Sequence, residues 1–226
     1  LKALSVIFLT IICSIYSASA SAEAKIEFSA KESGAAWSTK TIKVPGAKWR
    51  LSYAKGNMEI IKDSQKGDVI KLRGLKPAWQ EVTLLDKKFI KDCAGKGRLV
   101  LEVEVKPVEV VSGKMFFRVY CIVPSASNPG KSFVVDLNLF SDKIVCGRKK
   151  TVKANLLANW SRIKIIINTK ANTWAVELNG KKIIVNKERA HKTKKPCYLW
   201  FGDGSQRCAG VVVVNKFIVK SGMGNV

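Results

Sequence analysis

An all-β, two-sheet antiparallel sandwich is the fold class this sequence predicts, and three observations carry it. The chain is built of short β-branched and aromatic runs cut by turn residues. Within the runs, apolar and polar residues alternate with the period of two that a strand imposes. Between two such runs stands Asn179-Gly180, the preferred type I′ hairpin turn, because both central positions need φ above zero.

Residues 1–22 read as a secretory signal peptide outside the fold. Lys2 supplies a minimal positive region, Val6 to Ile15 an apolar run, and Ala18-Ser19-Ala20-Ser21-Ala22 two small-x-small cleavage sites. Cleavage is expected after Ala22, with Ala20 as the alternative. The apolar part is too short to span a bilayer, and Cys13 follows Ile12 where a lipid-anchor signal needs a small residue. No second hydrophobic span follows. The expected product is exported (periplasmic, cell-surface or secreted) and has no transmembrane anchor.

Residues 23–226 read as a single domain, since roughly 200 residues suit an undivided sandwich and neither a repeat nor a linker interrupts them. Candidate strands lie near 41–45, 48–53, 57–62, 68–73, 81–90, 98–106, 114–123, 132–140, 143–147, 160–168, 173–179, 181–186, 197–202 and 210–219. That is more than one sheet usually holds, and two stacked sheets accommodate it. No helix-period segment of useful length is expected. Ser125 to Lys131 reads as a loop through Asn128-Pro129-Gly130, and Arg189 to Pro196 as a second, strongly basic one.

The hairpin can be read residue by residue. Its turn places Glu177 opposite Lys182, Val176 opposite Ile183 and Trp174 opposite Val185. Trp174, Val176, Ile183 and Val185 would share the buried face, with a Glu177–Lys182 ion pair on the other. The central strands sort in the same way. Leu99, Leu101, Val103 and Val105 oppose Glu102, Glu104 and Lys106, while Phe117, Val119 and Cys121 oppose Arg118 and Tyr120. Phe133, Val135, Leu137 and Leu139 oppose Asp136 and Asn138, and Ile163, Ile165 and Ile167 oppose Arg162 and Lys164. If these strands are neighbours, one sheet carries a polar face on which Arg118, Tyr120, Asp136, Asn138, Arg162 and Lys164 form the candidate ligand site. The alternative is a solvated sheet surface laced with cross-strand ion pairs.

The formal net charge is +23, or +22 once Lys2 is removed. Lysine dominates it, with thirty-two Lys against eight Arg. Nucleic-acid sites favour the planar Arg fork, and the basic residues here are spread without interleaved aromatics, so nucleic acid is not the expected partner. Two readings remain: a solubilising surface, or attraction to a polyanion outside the cell.

Five cysteines follow the signal: Cys93, Cys121, Cys146, Cys197 and Cys208. An odd count leaves at least one thiol unpaired. Cys197 and Cys208 flank the Gly202-Asp203-Gly204 turn, and a bridge there would contribute about 3 kcal/mol in the chain-entropy model. Cys121, in phase with Phe117 and Val119, reads as a buried small hydrophobe. With no Cys-x-x-Cys spacing and His191 the single histidine, neither zinc nor haem is expected. The Gly202-to-Ser205 stretch reads as a turn. Calcium held through Asp203 is the alternative, although one acid is few for a hard cation, and no other cofactor is expected. Trp160 and Trp174 read by phase as core and edge packing. Trp200, in phase with Tyr198, is the exposed platform on which a sugar ring would stack.

Five pieces carry a family resemblance: Gly67-Asp68-Val69-Ile70-Lys71-Leu72, Leu101-Glu102-Val103-Glu104-Val105-Lys106-Pro107, the Trp160-to-Ile167 strand, Leu178-Asn179-Gly180-Lys181 and Phe201-Gly202-Asp203-Gly204. Over about residues 57–220 the chain resembles the concanavalin A-like lectin/glucanase superfamily, in the laminin-G-like jelly-roll form of exported bacterial proteins. The resemblance implies a jelly-roll sandwich with a ligand groove on the concave sheet, and on that view the polar face lines the groove. The superfamily includes glycan-binding modules, glycoside hydrolases, polysaccharide lyases and domains of no known activity.

Its retaining glucanases carry a Glu-x-Asp-x-x-Glu strand, whose start Glu102-Val103-Glu104 imitates. Pro107 stands where the third acid belongs, and Glu109 is out of step. Jelly-roll lyases use His and Tyr with Arg and Gln, whereas His191 is alone and Tyr198-Leu199-Trp200-Phe201-Gly202 echoes their strand only loosely. The expectation is therefore a non-catalytic carbohydrate-binding or structural module, with an anionic extracellular polysaccharide as partner. The enzyme alternative would act through Glu102 and Glu104, assisted by Asp136 or Tyr120. Same-face strand neighbours lie about 6.5–7 Å apart at Cα, which permits the carboxyl separation of about 5–5.5 Å that retention uses. A purely structural domain of a larger cell-surface assembly is the second alternative.

Overall fold

Alternating β-branched runs do form the strands in the structure, a computed structural model describing residues 25–30, 41–42, 49–52, 58–74, 80–147, 150–157, 159–193, 197–203 and 209–222. The expected signal segment, 1–22, lies outside the described residues. In chain order come β1 (Lys25–Ser29), β2 (Thr41–Ile42), β3 (Trp49–Ser52), β4 (Met58–Asp63), β5 (Gly67–Gly74), β6 (Gln80–Leu84) and the helix α1 (Lys87–Gly95). Then follow β7 (Arg98–Val110), β8 (Met115–Pro124), β9 (Ser132–Phe140), β10 (Lys143–Cys146) and β11 (Lys150–Lys153). The chain closes with β12 (Ser161–Asn168), β13 (Thr173–Leu178), β14 (Lys181–Lys187), β15 (Tyr198–Asp203) and β16 (Gly210–Ser221).

Among the described residues these strands make two eight-stranded sheets. The first is ordered β14-β13-β12-β7-β16-β5-β4, with β1 paired to the far half of β16. The second is ordered β11-β10-β9-β8-β15-β6-β3-β2. Each recorded strand pairing is antiparallel, as for β7 with β12 and β8 with β9. The inward residues are those the alternation marks: Leu101, Val103 and Ile165 of the first sheet pack in one core with Val119, Cys121, Val135 and Leu137 of the second. Rings from both sheets lock the layers together. Phe217 stacks on Phe201 at 4.2 Å between centroids, and Trp49 meets Phe28 edge-on at 5.6 Å. Such pairs are worth about 0.5–1.5 kcal/mol each beyond their buried area.

Three expectations need correction. The strand expected over 81–90 stops at Leu84, and residues 87–95 are helical. The Asp86 carboxylate accepts the Phe89 N–H at 2.9 Å as an N-cap, and Ile90, Cys93 and Ala94 supply a buried i, i+3, i+4 stripe. At the other end the Thr169 hydroxyl donates to Ala94 O at 2.6 Å, satisfying one terminal carbonyl. Strands β1 and β11 lie outside the expected set.

The Asn179-Gly180 hairpin forms, with both residues at positive φ and Glu177 opposite Lys182. Beyond that pair its register slips by one, because a β-bulge leaves Ile183 without a cross-strand partner. Val176 therefore meets Ile184, and Trp174 meets Asn186. Ile184 joins Trp174 and Val176 in the core, while Val185 turns outward and is 52% exposed. The ion partner of Glu177 is Lys164, at 3.5 Å on its other neighbour.

Candidate functional site: two outer faces of the sandwich

The polar residues expected on one face are divided between two. Strands β7 and β12 pair in the first sheet, whereas β8 and β9 pair in the second. Glu102, Glu104, Arg162 and Lys164 therefore point out of one side of the sandwich, and Arg118, Tyr120, Asp136, Asn138 and Trp200 out of the other. The whole core lies between them. Alternation tells which residues share a face of their own strand; it does not tell which strands pair. Neither Asp136 nor Tyr120 can assist Glu102 or Glu104 on one substrate.

On the first face, β7 positions two nearly buried carboxylates two residues apart, and each is held by cations from distant strands. Glu102 accepts from Arg162 Nη2 at 2.7 Å and pairs with Lys220 Nζ at 3.2 Å. Glu104 accepts from Asn215 Nδ2 at 2.7 Å and pairs with Lys66 at 3.2 Å and Lys216 at 3.4 Å. Burial by itself would raise both pKa values. For Glu102 the hydrogen bonds from Arg162 and Lys220 outweigh it, and for Glu104 those from Asn215 and Lys66 do, so both stay below the usual range. A glycosidase acid needs its pKa raised. These two glutamates are held anionic, and their geometry makes them struts that fix the positions of cations.

Asp63 extends the arrangement at the β4–β5 turn. Its carboxylate accepts the Gln65 and Lys66 N–H groups at 2.9 and 3.1 Å, the Trp160 indole N–H at 3.3 Å and Lys106 Nζ at 3.2 Å. The Gln65 bond, with help from Lys106, holds its pKa below normal. Trp160 is half-buried, and its ring has the Lys66 and Lys106 ammoniums each 5.8 Å from a ring centroid. Arg162, two residues on, keeps 59% of its side chain exposed. Across this patch the five cations Lys66, Lys106, Arg162, Lys216 and Lys220 stand against the three carboxylates of Asp63, Glu102 and Glu104. Sequence reasoning reached Arg162 and Lys164 and read Trp160 as packing. It put Lys106 on the polar face of its strand but outside the site, and it missed Lys66, Lys216 and Lys220, whose role depends on pairings across the sheet.

The second face satisfies itself. Arg118 Nε and Nη2 donate to the two oxygens of Asp136, each at 2.8 Å, and Asn138 Nδ2 donates to the same carboxylate at 3.2 Å. Tyr120 stacks on its cross-strand neighbour Trp200 at 5.8 Å, and the Arg118 guanidinium lies 5.2 and 5.4 Å from the two rings. Burial and the Asp136 charge raise the Tyr120 pKa. Trp200 is 5% exposed, so it is not the open platform expected of it. His191 sits elsewhere, bridging to Ser132 through backbone bonds at 2.9 and 3.0 Å.

The expected Cys197–Cys208 bridge is not formed. Cys197 is a free, buried thiol that donates to Lys87 O at 3.5 Å, and burial pushes its pKa up to about 11. Cys208 lies outside the described residues, as do the Asp203 side chain and the loop behind it, on which the calcium alternative rests. Among the described residues, no cluster of three or more His, Cys, Asp or Glu has the makings of a metal site. No helix among them is long and apolar enough to cross a membrane.

No protein-family model and no curated protein matches this sequence. Solved structures do match. A carbohydrate esterase from the Shiga toxin-encoding bacteriophage phi24B superposes with a TM-score of 0.54 at 11% identity, over 79% of this chain and 92% of that one. The Trypanosoma rangeli sialidase in complex with sialic acid gives 0.55 at 10% identity, over 88% of this chain, which spans only 31% of the sialidase. A protein of unknown function from Shewanella oneidensis MR-1 gives 0.52 at 10% identity, over 96% of both chains. The fold is the concanavalin A-like lectin/glucanase fold. It is shared by carbohydrate-binding lectins and glycan-active enzymes.

Proposed function

We propose that the protein is an exported, non-catalytic module that binds an anionic extracellular glycan on the outer face of the first sheet. One observation carries the reading: Trp160 is a half-buried ring with the Lys66 and Lys106 ammoniums over it, beside the exposed Arg162, within a patch where cations outnumber carboxylates. A sugar ring presents an apolar C–H face that packs on an indole, and its carboxylate or sulfate groups pair with ammonium and guanidinium heads. The charge of +23 draws such a polymer in. Hydrolysing it with Glu102 and Glu104 would need one of them protonated as the acid, and both are held ionised.

The test is binding to a polyuronate, a sulfated polysaccharide and a neutral glucan at two salt concentrations, with analysis for released sugar. Binding should be confined to the anionic polymers and weaken steeply with salt. Trp160→Ala and Arg162→Ala should each reduce it, and Arg118→Ala, on the opposite face, should leave it unchanged. Released sugar would establish an enzyme instead. Absence of binding to either anionic polymer would leave a structural module of a larger assembly as the better account.

A further inference from the structure

β14 is the outermost strand of the first sheet and β11 that of the second, so the sandwich opens between them. A cleft of about 360 Å³ lies there, lined by Lys150, Thr151 and Val152 of β11 and Ile183, Ile184 and Val185 of β14. The bulge turns Ile184 into the core beside Ile183 and sends Val185 to the outer face. An unbulged hairpin would bury Val185 opposite Trp174, whereas the one-residue slip exposes it. Bulges at sheet edges re-aim side chains and recur beside functional sites.

The backbone of this edge is also available. The Lys150 ammonium reaches across the cleft and donates to Val185 O. That carbonyl therefore points away from β13 and into the gap. In an antiparallel ladder the N–H of the same residue points the same way, so Val185 offers the cleft a donor and an acceptor, and Lys187, two residues on, repeats them. A lysine from the other sheet stands where the N–H of a neighbouring strand would be.

We propose that this edge takes an extended acidic peptide segment of a partner protein as an added strand on β14. Main-chain bonds to Val185 and Lys187 would supply the ladder, and alternate apolar side chains of the peptide would point inward onto Ile183, Ile184 and Val152. The side chains between would lie on the outer face, where the exposed Lys182 and Lys187 share the Val185 side of β14, and with the exposed Lys150 at the cleft these cations complement acidic residues there. The same lysines turn away a second copy of this chain, because edge-to-edge pairing would bring like charges together. The incoming strand displaces Lys150 from Val185 O and gives it a carboxylate in exchange. This surface is separate from the Trp160 and Arg162 patch and does not rest on the glycan reading.

The test uses the isotope-labelled full chain with a capped peptide of about eight alternating glutamates and valines, a typical strand length, and a control of alternating lysines and valines. The glutamate peptide should slow amide exchange at Val185 and Lys187, and the lysine peptide should not. Val185→Pro, which removes the edge N–H, should weaken binding about tenfold, the worth of one net hydrogen bond. Should that variant fold poorly, Lys182→Glu with Lys187→Glu, at exposed positions, should reverse the preference between the two peptides. The proposal is overturned if neither peptide slows exchange at Val185, or if both do so equally. It is equally overturned if the glutamate peptide protects only residues around Trp160 and Arg162, or if a soluble polyuronate protects Val185 as well as the peptide does.

Discussion

Replacing Glu102 by Gln separates a strut from a catalytic or ligand-touching acid, because the strut reading predicts opposite signs for stability and binding. The carboxylate is 7% exposed and pairs with Arg162 and Lys220, whose side chains are 59% and 24% exposed. Hydrogen bonds to charged groups are worth about 1.5–3 kcal/mol. The Arg162 share is discounted toward the 0–1 kcal/mol of exposed pairs, roughly, since its head rehydrates freely. Lys220 is more enclosed and loses more, while the glutamine oxygen still accepts. The expected loss is about 1–2 kcal/mol, or a fall in Tm of about 2–8 °C for a domain of this size.

The pH dependence follows from the lowered pKa of Glu102. A carboxyl whose folded pKa lies below its unfolded value of about 4.3 contributes fully above that value, and its contribution is lost as pH falls through the folded pKa. Urea unfolding followed by tryptophan fluorescence should therefore show a wild-type advantage that is flat from about pH 5 to 8 and closes below about pH 4. Binding of an anionic polymer should be kept or strengthened, since the patch gains a positive charge. No stability difference at neutral pH, or one that persists undiminished in acid, would refute the linkage. Loss of binding in a folded E102Q protein would refute the strut role.

Two further outcomes follow from the packing. Gly210 sits at φ +123°, where an added Cβ would stand 2.3 Å from Glu109 O, beside the register shift of β16 on β7. Gly210→Ala should cost about 1–3 kcal/mol in the same urea assay, and a neutral result would mean that β16 relaxes without loss. The free thiols Cys93, Cys121, Cys146 and Cys197 are all buried, and burial raises their pKa values: to about 11 for Cys93 and Cys197, to about 12 for Cys146, and well above normal for Cys121. Without reductant at pH 8 they should resist a thiol reagent in the native protein and all react in denaturant. Rapid native labelling, or a Cys197 that stays blocked after unfolding, would overturn that placement.

What could be read without the structure was whatever is local to a strand. The period of two placed Leu101 and Val103 inside and Glu102 and Glu104 outside, and Asn179-Gly180 fixed Glu177 opposite Lys182, because side-chain direction and turn geometry depend on adjacent residues alone. The sandwich class and its fold resemblance came from the same local pattern repeated along the chain. Tertiary structure decided everything that depends on which strands meet. It set β7 beside β12 and β16, and so gave Glu102 and Glu104 their partners Arg162, Lys220, Asn215 and Lys216. It sent Arg118 and Asp136 to the opposite side, and it bulged β14 so that Ile184 rather than Ile183 lies opposite Val176, and Asn186 rather than Val185 opposite Trp174. Each of these choices is settled by packing two sheets around one core. A single strand's alternation carries no information about the partner that will cover it.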